Sequence, residues 1–357
     1  MVKELLKPLA EDGSALTREQ AADVMNEILS GAVPDVEIAA LLTVFATRGE
    51  QVPELAGFVQ VMRERALPVP LTDEEREELV DVVGTGGGGP VTFNISSGAA
   101  LIAAAAGAKV AKHGNRAVTS RCGAADVLEA LGVPIELSPE LAAECLRATG
   151  FMFLYAPLYH PAMKALGPLR KQLGFRTIFN LCGPLTNPAG ARNQVIGVLA
   201  PSRVLLEGRT LAALGAKRAF VVHGTDGIDE LTTTGESVVC RVEESENGPP
   251  ALKGARVTPE MAGLERSTLD HLTGGDVETN AALLYDIITG IPGARRDIVL
   301  LNAAAALVSA GLAGDLKEGV AMGAEAIDSG EAAATLAKLR QFGEETGNRD
   351  WGLGSGV

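Results

Sequence analysis

Residues 84–125 read GTGGGGPVTFNISSGAALIAAAAGAKVAKHGNRAVTSRCGAA and hold no Asp or Glu. The segment opens on a glycine loop and closes on Lys109, Lys112, His113, Arg116 and Arg121. Gly84, Gly86 and Gly87 let a backbone approach a ligand with no Cβ in the way. Asn94, Ser96 and Ser97 stand at the start of the helix that follows, where free N–H groups and the positive dipole end favour an anion. The run is neither a Walker loop nor a G-x-G-x-x-G fingerprint. Taken alone it reads equally well as a plain turn, with Asn94 or Ser96 as a helix cap. Charge weighs toward a ligand. A second acid-free tract, 151–206, carries Lys164, Arg170, Lys171, Arg176, Arg192 and Arg203. The two tracts hold ten positive charges and the rest of the chain a net −24, against −14 overall. Such segregation builds a local well for a polyanion inside an acidic shell.

Four further groups could do chemistry. Lys112-His113-Gly114-Asn115-Arg116 follows a strand, and ligands of open α/β sheets gather at strand carboxyl ends. Lys112 can neutralise phosphate as a point charge, and Asn115 offers a donor and an acceptor. Five polar groups crowding one βα loop favour binding, with Arg116 and Arg121 also free to pair with acids such as Asp126. The segment YAPLYHPAMK, residues 155–164, reads as an irregular loop stiffened by prolines. His160 within it could line a pocket for a flat substrate, although a lone histidine is more often structural. Arg170, on the next helix, could grip a carboxylate in a bidentate fork or be an ordinary surface arginine. Asp229-Glu230, after a strand and the turn GTDG, suits Mg²⁺, which takes one or two carboxylates plus phosphate oxygens and water. On an acidic shell the same pair can also be mere surface.

These groups need elements to position them. The chain has 357 residues, which suits one large domain and a smaller one. Hydrophobic residues make up 46% and aromatics 4%, which favours Ala-rich helices packed closely on a sheet. Residues 15–66 read as three helices, broken at Gly31 and Pro34, and 67–71 as a Pro-rich linker. From 79 onward strand and helix alternate, with strands at 79–83, 109–112, 151–156, 194–199 and 219–223; this implies a sheet of parallel strands. Residues 281–339 return to helix. Cys122, Cys145, Cys182 and Cys240 are scattered with no CxxC pair, as expected of reduced thiols in the cytoplasm. The N-terminus has acids and no long apolar core, so no signal peptide is expected. The apolar stretch 98–108 is too short to span a bilayer. Global acidity speaks against nucleic acid as a partner.

Taken together, GTGGGG…TFNISS, KHGNR…GAADVLEALG, FLYAPLYHPAMK, LRKQLGFRTIFNLCGPLTNP, DGIDELTTTGES and the late GGD…NAAAALVSAGLAGDLKEGV resemble the anthranilate phosphoribosyltransferases, in order from about residue 5 to 340. The resemblance implies a small all-helical domain, 1–72, joined by a helical part of about 165–190. A larger α/β domain, 73–357, would have a mostly parallel sheet with flanking helices, as in the nucleoside phosphorylases. It implies transfer of the phosphoribosyl group of 5-phosphoribosyl 1-pyrophosphate to the amino group of anthranilate, with Mg²⁺, in tryptophan biosynthesis, by a cytoplasmic homodimer joined through the helical domains. By motif, Gly84, Thr85, Gly86, Gly87, Thr92, Asn94, Ser96, Ser97, Lys112 and Cys122 would bind the phosphoribosyl pyrophosphate. Gly84, Asn115, His160 and Arg170 would bind anthranilate, with His113 also on its path. Ser96, Asp229 and Glu230 would hold the metal, and Lys112 and His113 would serve catalysis. Two positions depart from the family pattern: Gly88 stands where an Asp is usual, and Cys122 where a Ser is common. The first removes a carboxylate near the pyrophosphate, and the second puts a weak thiol donor in place of a hydroxyl. A pyrimidine nucleoside phosphorylase and a non-catalytic nucleic-acid-binding relative share the architecture and stand as alternatives. The intact KHGNR and YHPAMK segments with Arg170 speak against the first, and the pI near 4.9 against the second.

Overall fold

The computed structural model describes residues 1–86, 89–117, 121–245 and 248–347. Four helices come first: α1 (Val2–Glu11), α2 (Arg18–Leu29), α3 (Asp35–Arg48) and α4 (Val52–Glu64). A capping box opens α2. The Thr17 hydroxyl accepts the Gln20 N–H at 3.2 Å, and the Gln20 side chain accepts the Thr17 N–H at 3.0 Å. Segment 67–71 is no loose linker. The Leu67 N–H donates to the Tyr159 carbonyl at 2.9 Å and Val69 is fully buried. A short helix unforeseen in the sequence, α5 (Asp73–Glu78), is capped by Thr72 and leads directly into the sheet.

Strand and helix then alternate: β1 (Leu79–Gly84), α6 (Ile95–Ala105), β2 (Lys109–Gly114), α7 (Ala124–Ala130), α8 (Pro139–Thr149) and β3 (Phe151–Tyr155). Next come three short helices, α9 (Ala156–Tyr159), α10 (Gly167–Leu173) and α11 (Ile178–Leu185), then β4 (Asn193–Gly197), α12 (Pro201–Ala213) and β5 (Arg218–Gly224). The sheet ends with β6 (Ser237–Glu243) and β7 (Ala251–Val257), followed by α13 (Val277–Ile288), α14 (Ala294–Ala310), α15 (Leu316–Asp328) and α16 (Glu331–Gly347). The strand order is β3-β2-β1-β4-β5-β6-β7. The first five strands are parallel, while β6 and β7 run antiparallel. The expectation of parallel alternation therefore holds through β5 and missed the last two strands. β7 reads ALKGARV with all but its last residue exposed, so it lacks the apolar alternation that marks a strand. Lys253 and Arg256 on this open edge discourage pairing with another chain.

Residues alternate between two hydrophobic cores along the middle strands. Val195, Phe220, Val222 and Val239 join one core, with α6, α8, α13 and α14. Ile196, Ala219, Val221 and Cys240 join the other, with α2, α3, α4 and α11. On the first face, packing depends on absent side chains. A Cβ on Gly98 of α6 would lie 2.8 Å from Leu284 Cδ2, and one on Gly319 of α15 would lie 2.8 Å from the Ala304 Cα on α14. On the second face, Arg63 of α4 donates through Nε to the Leu185 carbonyl at 2.8 Å, tying the N-terminal helices to α11. Among the described residues, no helix is long and apolar enough to cross a membrane.

Candidate active site

The chain leaves β1 toward β2 and β3, then returns to β4 on the other side of β1. That order leaves a crevice at the carboxyl ends of β1 and β4. Both strands end in glycine there, in register as Gly84↔Gly197. The turn after β5 lies across them. A Cβ on Gly84 would come within 2.5 Å of Asp229 Oδ2, and one on Gly197 within 1.6 Å of the Asp229 carbonyl oxygen. The turn is braced from inside, because Asp226 accepts the Thr232 and Thr234 hydroxyls, each at 2.6 Å. Asp229 Oδ2 accepts the Gly86 N–H at 3.0 Å, and the Gly86 carbonyl accepts from Arg176 at 2.5 Å. Gly86 has φ +58°, which glycine adopts without strain. Gly87 and Gly88 lie outside the described residues.

Burial raises the Asp229 carboxyl above its ordinary range, against the Gly86 N–H and the nearby Arg176 guanidinium. Burial and the neighbouring Asp229 push Glu230 up to about 8, against Lys112 and the Ser96 N–H. Neither carboxylate has an ion-pair partner within 4 Å among the described residues. Two side-by-side carboxylates short of positive charge, with the Ser96 hydroxyl nearby, are a hard oxygen donor set that fits Mg²⁺. Among the described residues no three His, Cys, Asp or Glu side chains form a metal cage.

Lys112 was expected to end the strand and His113 to open a loop, but both lie on β2 and are buried. The strand runs two residues past Lys112, and the His113 N–H and the Lys112 ammonium find partners inside. Lys112 Nζ donates to the Val82 carbonyl at 2.5 Å and lies 3.4 Å from Ser96 Oγ. Burial lowers its pKa, while Asp81 and Glu230 favour the charged form. Burial, with neighbouring His160, pushes His113 down to about 3 despite the Gly183 carbonyl. Burial likewise takes His160 down to about 4, against the Thr186 and Met62 backbone. The two rings stand 5.1 Å apart, and each Nε2 is buried without a partner among the described residues. The site thus holds a pair of neutral imidazoles at neutral pH.

The segment 155–164 is not an irregular loop. It forms α9 and a 3-10 turn (Pro161–Leu166), and His160 is the residue between them. Pro157 and Pro161 start these turns rather than break them, since a helix start needs no N–H from its first residues. Arg170 sits on α10 with its guanidinium 5.6 Å from the Phe179 ring centroid. Burial lowers its pKa. Phe179 and Gly183 both belong to α11, so one helix touches Arg170 at one end and His113 at the other. Through these contacts and the Arg176–Gly86 bond the two acid-free tracts meet.

The remaining candidates divide. The Asn94 side chain does not cap α6. It donates to the Cys122 carbonyl at 3.3 Å and accepts from Asn280 at 2.9 Å, tying the helix start to α7 and α13. Burial raises the Cys122 thiol to about 11. Ser97 Oγ and Thr85 Oγ1 are buried without partners among the described residues. Thr92 is bridged to Thr273. Asn115 is exposed and bonds the Arg116 N–H at 2.7 Å. Arg116 is structural, paired with Asp126 at 3.1 Å and Glu129 at 2.7 Å.

Family models agree with this architecture. Residues 3–66 match the helical bundle domain of the glycosyl transferase family, and residues 76–333 match its a/b domain. An anthranilate phosphoribosyltransferase of Rhodopseudomonas palustris (strain BisA53) is 47% identical over 327 residues, 92% of this chain and 94% of the relative. This chain belongs to the anthranilate phosphoribosyltransferase family. The family member of Methylorubrum extorquens (strain PA1) is 49% identical over 93% of this chain and 96% of its own. Among solved structures, the anthranilate phosphoribosyltransferase of Thermus thermophilus superposes with a TM-score of 0.87 at 44% identity, covering 96% of this chain and 99% of that one. The Saccharomyces cerevisiae enzyme, solved in complex with PRPP and Mg, gives 0.84 at 25% identity, over 96% of this chain and 98% of its own.

Sequence reasoning counted Arg176 in a basic tract without giving it a role, and missed Asp81, Asn187 and Asn280. Asp81 carried a readable signal, an acid in the middle of an otherwise apolar buried strand. Asn187 and Asn280 carried none, because each acts on residues distant in the chain.

Proposed function

We propose that this chain transfers the phosphoribosyl group of 5-phosphoribosyl 1-pyrophosphate to the amino group of anthranilate, releasing pyrophosphate, as a step of tryptophan biosynthesis. The observation that carries the reading is the crevice itself. A buried ammonium, Lys112, stands at 3.4 Å from Ser96 at a helix start, next to two charge-deficient carboxylates and a pair of neutral imidazoles. In this reading Gly84, Thr85, Gly86, Gly87, Thr92, Asn94, Ser96, Ser97, Lys112 and Cys122 take the phosphorylated sugar. Asn115, His160 and Arg170, with Gly84, take anthranilate.

Asp229, Glu230 and Ser96 would hold Mg²⁺, which when bound neutralises charge on the pyrophosphate. The amine nitrogen forms a bond to the anomeric carbon as the bond to pyrophosphate breaks, and the electron pair of that bond leaves with the pyrophosphate. Lys112 and the N–H groups at the start of α6 stabilise that departing charge in a site shielded from water. An aniline-type amine is neutral at pH 7 and needs no base before it attacks. The proton it sheds afterwards is acidic, so the neutral His113, with its free Nε2, suffices as acceptor. Arg170 holds the anthranilate carboxylate in line.

The domain division belongs to the same proposal: a helical domain of 1–72 with part of about 165–190, and an α/β domain of 73–357. So do a homodimer formed through the helical domain, which exposes Val36 on α3, and a cytoplasmic location. Loss of anthranilate fluorescence on mixing with phosphoribosyl pyrophosphate and Mg²⁺ tests the activity. Omission of any component should abolish the change, and Asp229→Ala with Glu230→Ala should remove the response to added Mg²⁺. No fluorescence loss in the complete mixture, or release of free base from thymidine and phosphate instead, would overturn the reading.

A further inference from the structure

The pairing between β1 and β2 stops early. β2 pairs with β3 from Val110↔Phe151 to Gly114↔Tyr155, and β1 with β4 from Val80↔Asn193 to Gly84↔Gly197. Between β1 and β2 the register ends at Val80↔Val110. Beyond Val80 the two strands stay neighbours but their backbones no longer pair, and the buried backbone groups there need other partners. Side chains supply them. Asp81 Oδ1 accepts the His113 N–H at 3.1 Å, and Asp81 Oδ2 accepts the Asn187 amide at 2.8 Å. The same amide donates to the Ala111 carbonyl at 2.7 Å. Asn187 is locked in turn by the Ala189 N–H, which donates to its Oδ1 at 2.9 Å. Lys112 closes the far side through its bond to the Val82 carbonyl. Asp81 and Asn187 are both buried.

We propose that Asp81 and Asn187 form a positioning pair. Their carboxylate–amide bridge replaces the missing part of the β1–β2 ladder, sets the spacing of the two strands and so fixes where Lys112 and His113 stand. The assignment rests on the phosphoribosyl-transfer reading of the site. Packing alone does not account for it, since burying a carboxylate is costly and an apolar pair would simply let the strands close. A carboxylate does two things here that no apolar or amide side chain does. It accepts on both of its terminal atoms, Oδ1 and Oδ2, and it sets a negative charge beside the buried Lys112. The groups facing Asp81 are Lys112 and the His113 and Val82 N–H groups from the strands, and Asn187 from the turn after α11.

Three variants test the pair: Asp81→Asn, Asn187→Ala and the exchange Asp81→Asn with Asn187→Asp. Asp81→Asn keeps the volume but sets an amide donor against either Asn187 or the His113 N–H. It should lower kcat/KM for phosphoribosyl pyrophosphate roughly ten- to a hundredfold, the range expected for one unpaired buried donor. Asp81 is held near pKa 6, above the ordinary carboxyl value, by burial against Asn187, Lys112 and the N–H groups. The wild-type rate should therefore fall on the acid side of that value, a step that Asp81→Asn lacks and Asn187→Ala keeps. The exchange should recover part of the loss. Amide hydrogen exchange at His113, read by NMR, should quicken in Asp81→Asn whether or not the protein turns over. A folded Asp81→Asn within about threefold of wild type, with the His113 amide as protected as before, overturns the pair. If Asp81→Asn does not fold, Asn187→Ala decides by the same two readouts. If wild type shows no transfer but the His113 amide responds, the functional reading fails and the positioning pair stands.

Discussion

Arg170 shows how little a residue type decides by itself. In the sequence it is one arginine among several in an acid-free tract. In the folded chain it is half-buried, stacked over Phe179 and without an acidic partner within ion-pair distance among the described residues. A guanidinium that is partly desolvated and unpaired is set for an incoming carboxylate, which it can meet with two parallel hydrogen bonds. Arg170→Ala should therefore raise the anthranilate KM by roughly tenfold or more, the equivalent of ~1.4 kcal/mol, and leave that for phosphoribosyl pyrophosphate nearly unchanged. Arg170→Lys should restore little, because a point charge lacks the planar fork. Steady-state titration of each substrate at saturating concentrations of the other measures both values; equal shifts would remove Arg170 from its assigned role.

The elements explain why Asp229 and Glu230 stand where they do. β1 and β4 end in paired glycines, and the Asp229 backbone occupies the space two Cβ atoms would fill. Gly197→Ala sets a methyl group against a carbonyl oxygen with no flexible neighbour to give way. The turn must lift, at a cost of about 3 kcal/mol or more, at the upper end of the range for overpacking. Lifting it also pulls Asp229 off the Gly86 N–H. The expected outcome is a lower Tm together with a weaker Mg²⁺ response, read from thermal melts and metal titration of turnover. A Gly197→Ala protein that melts and titrates like wild type would show that the turn is not seated on the strand tips. The same reasoning explains the long α6–α14 contact, where Gly98 lets two Ala-rich helices approach.

At the scale of the whole molecule the N-terminal helices and the sheet share one core, and α12 is the helix between them. Glu207 on α12 is fully buried there, with neither carboxyl oxygen bonded among the described residues. Burial pushes its pKa well above 4.5, and Glu50 adds to the shift while Arg203 opposes it. Cys182 of α11 is a further titratable group that feels it. An acid whose pKa is raised on folding stabilises the fold fully below its unfolded value of 4.5 and loses that contribution as pH rises through the folded value. Glu207→Gln cannot ionise, so its Tm should fall less than that of wild type from acid to alkaline buffer. Melts followed by circular dichroism across that range provide the check, and parallel curves for the two proteins would contradict it.

Much of this protein was legible in the chain alone, where local chemistry is decisive. The α2 start is written in Thr17 and Gln20, and the parallel strands in short apolar runs ended by glycine; the two tracts without acids meet in the fold. The long ordered motifs carried the family, and with it the Gly88 and Cys122 departures. Other features depended on partners distant in sequence. β7 has no apolar face to betray it, and segment 155–164 became helical because its prolines fall at helix starts. His113 lies in a strand because Asp81 receives its N–H there. Tertiary structure alone decided that the β1–β2 ladder ends at Val80 and that side chains take its place. The pairing of two strands is a relation among separate segments, and no single stretch of residues records it.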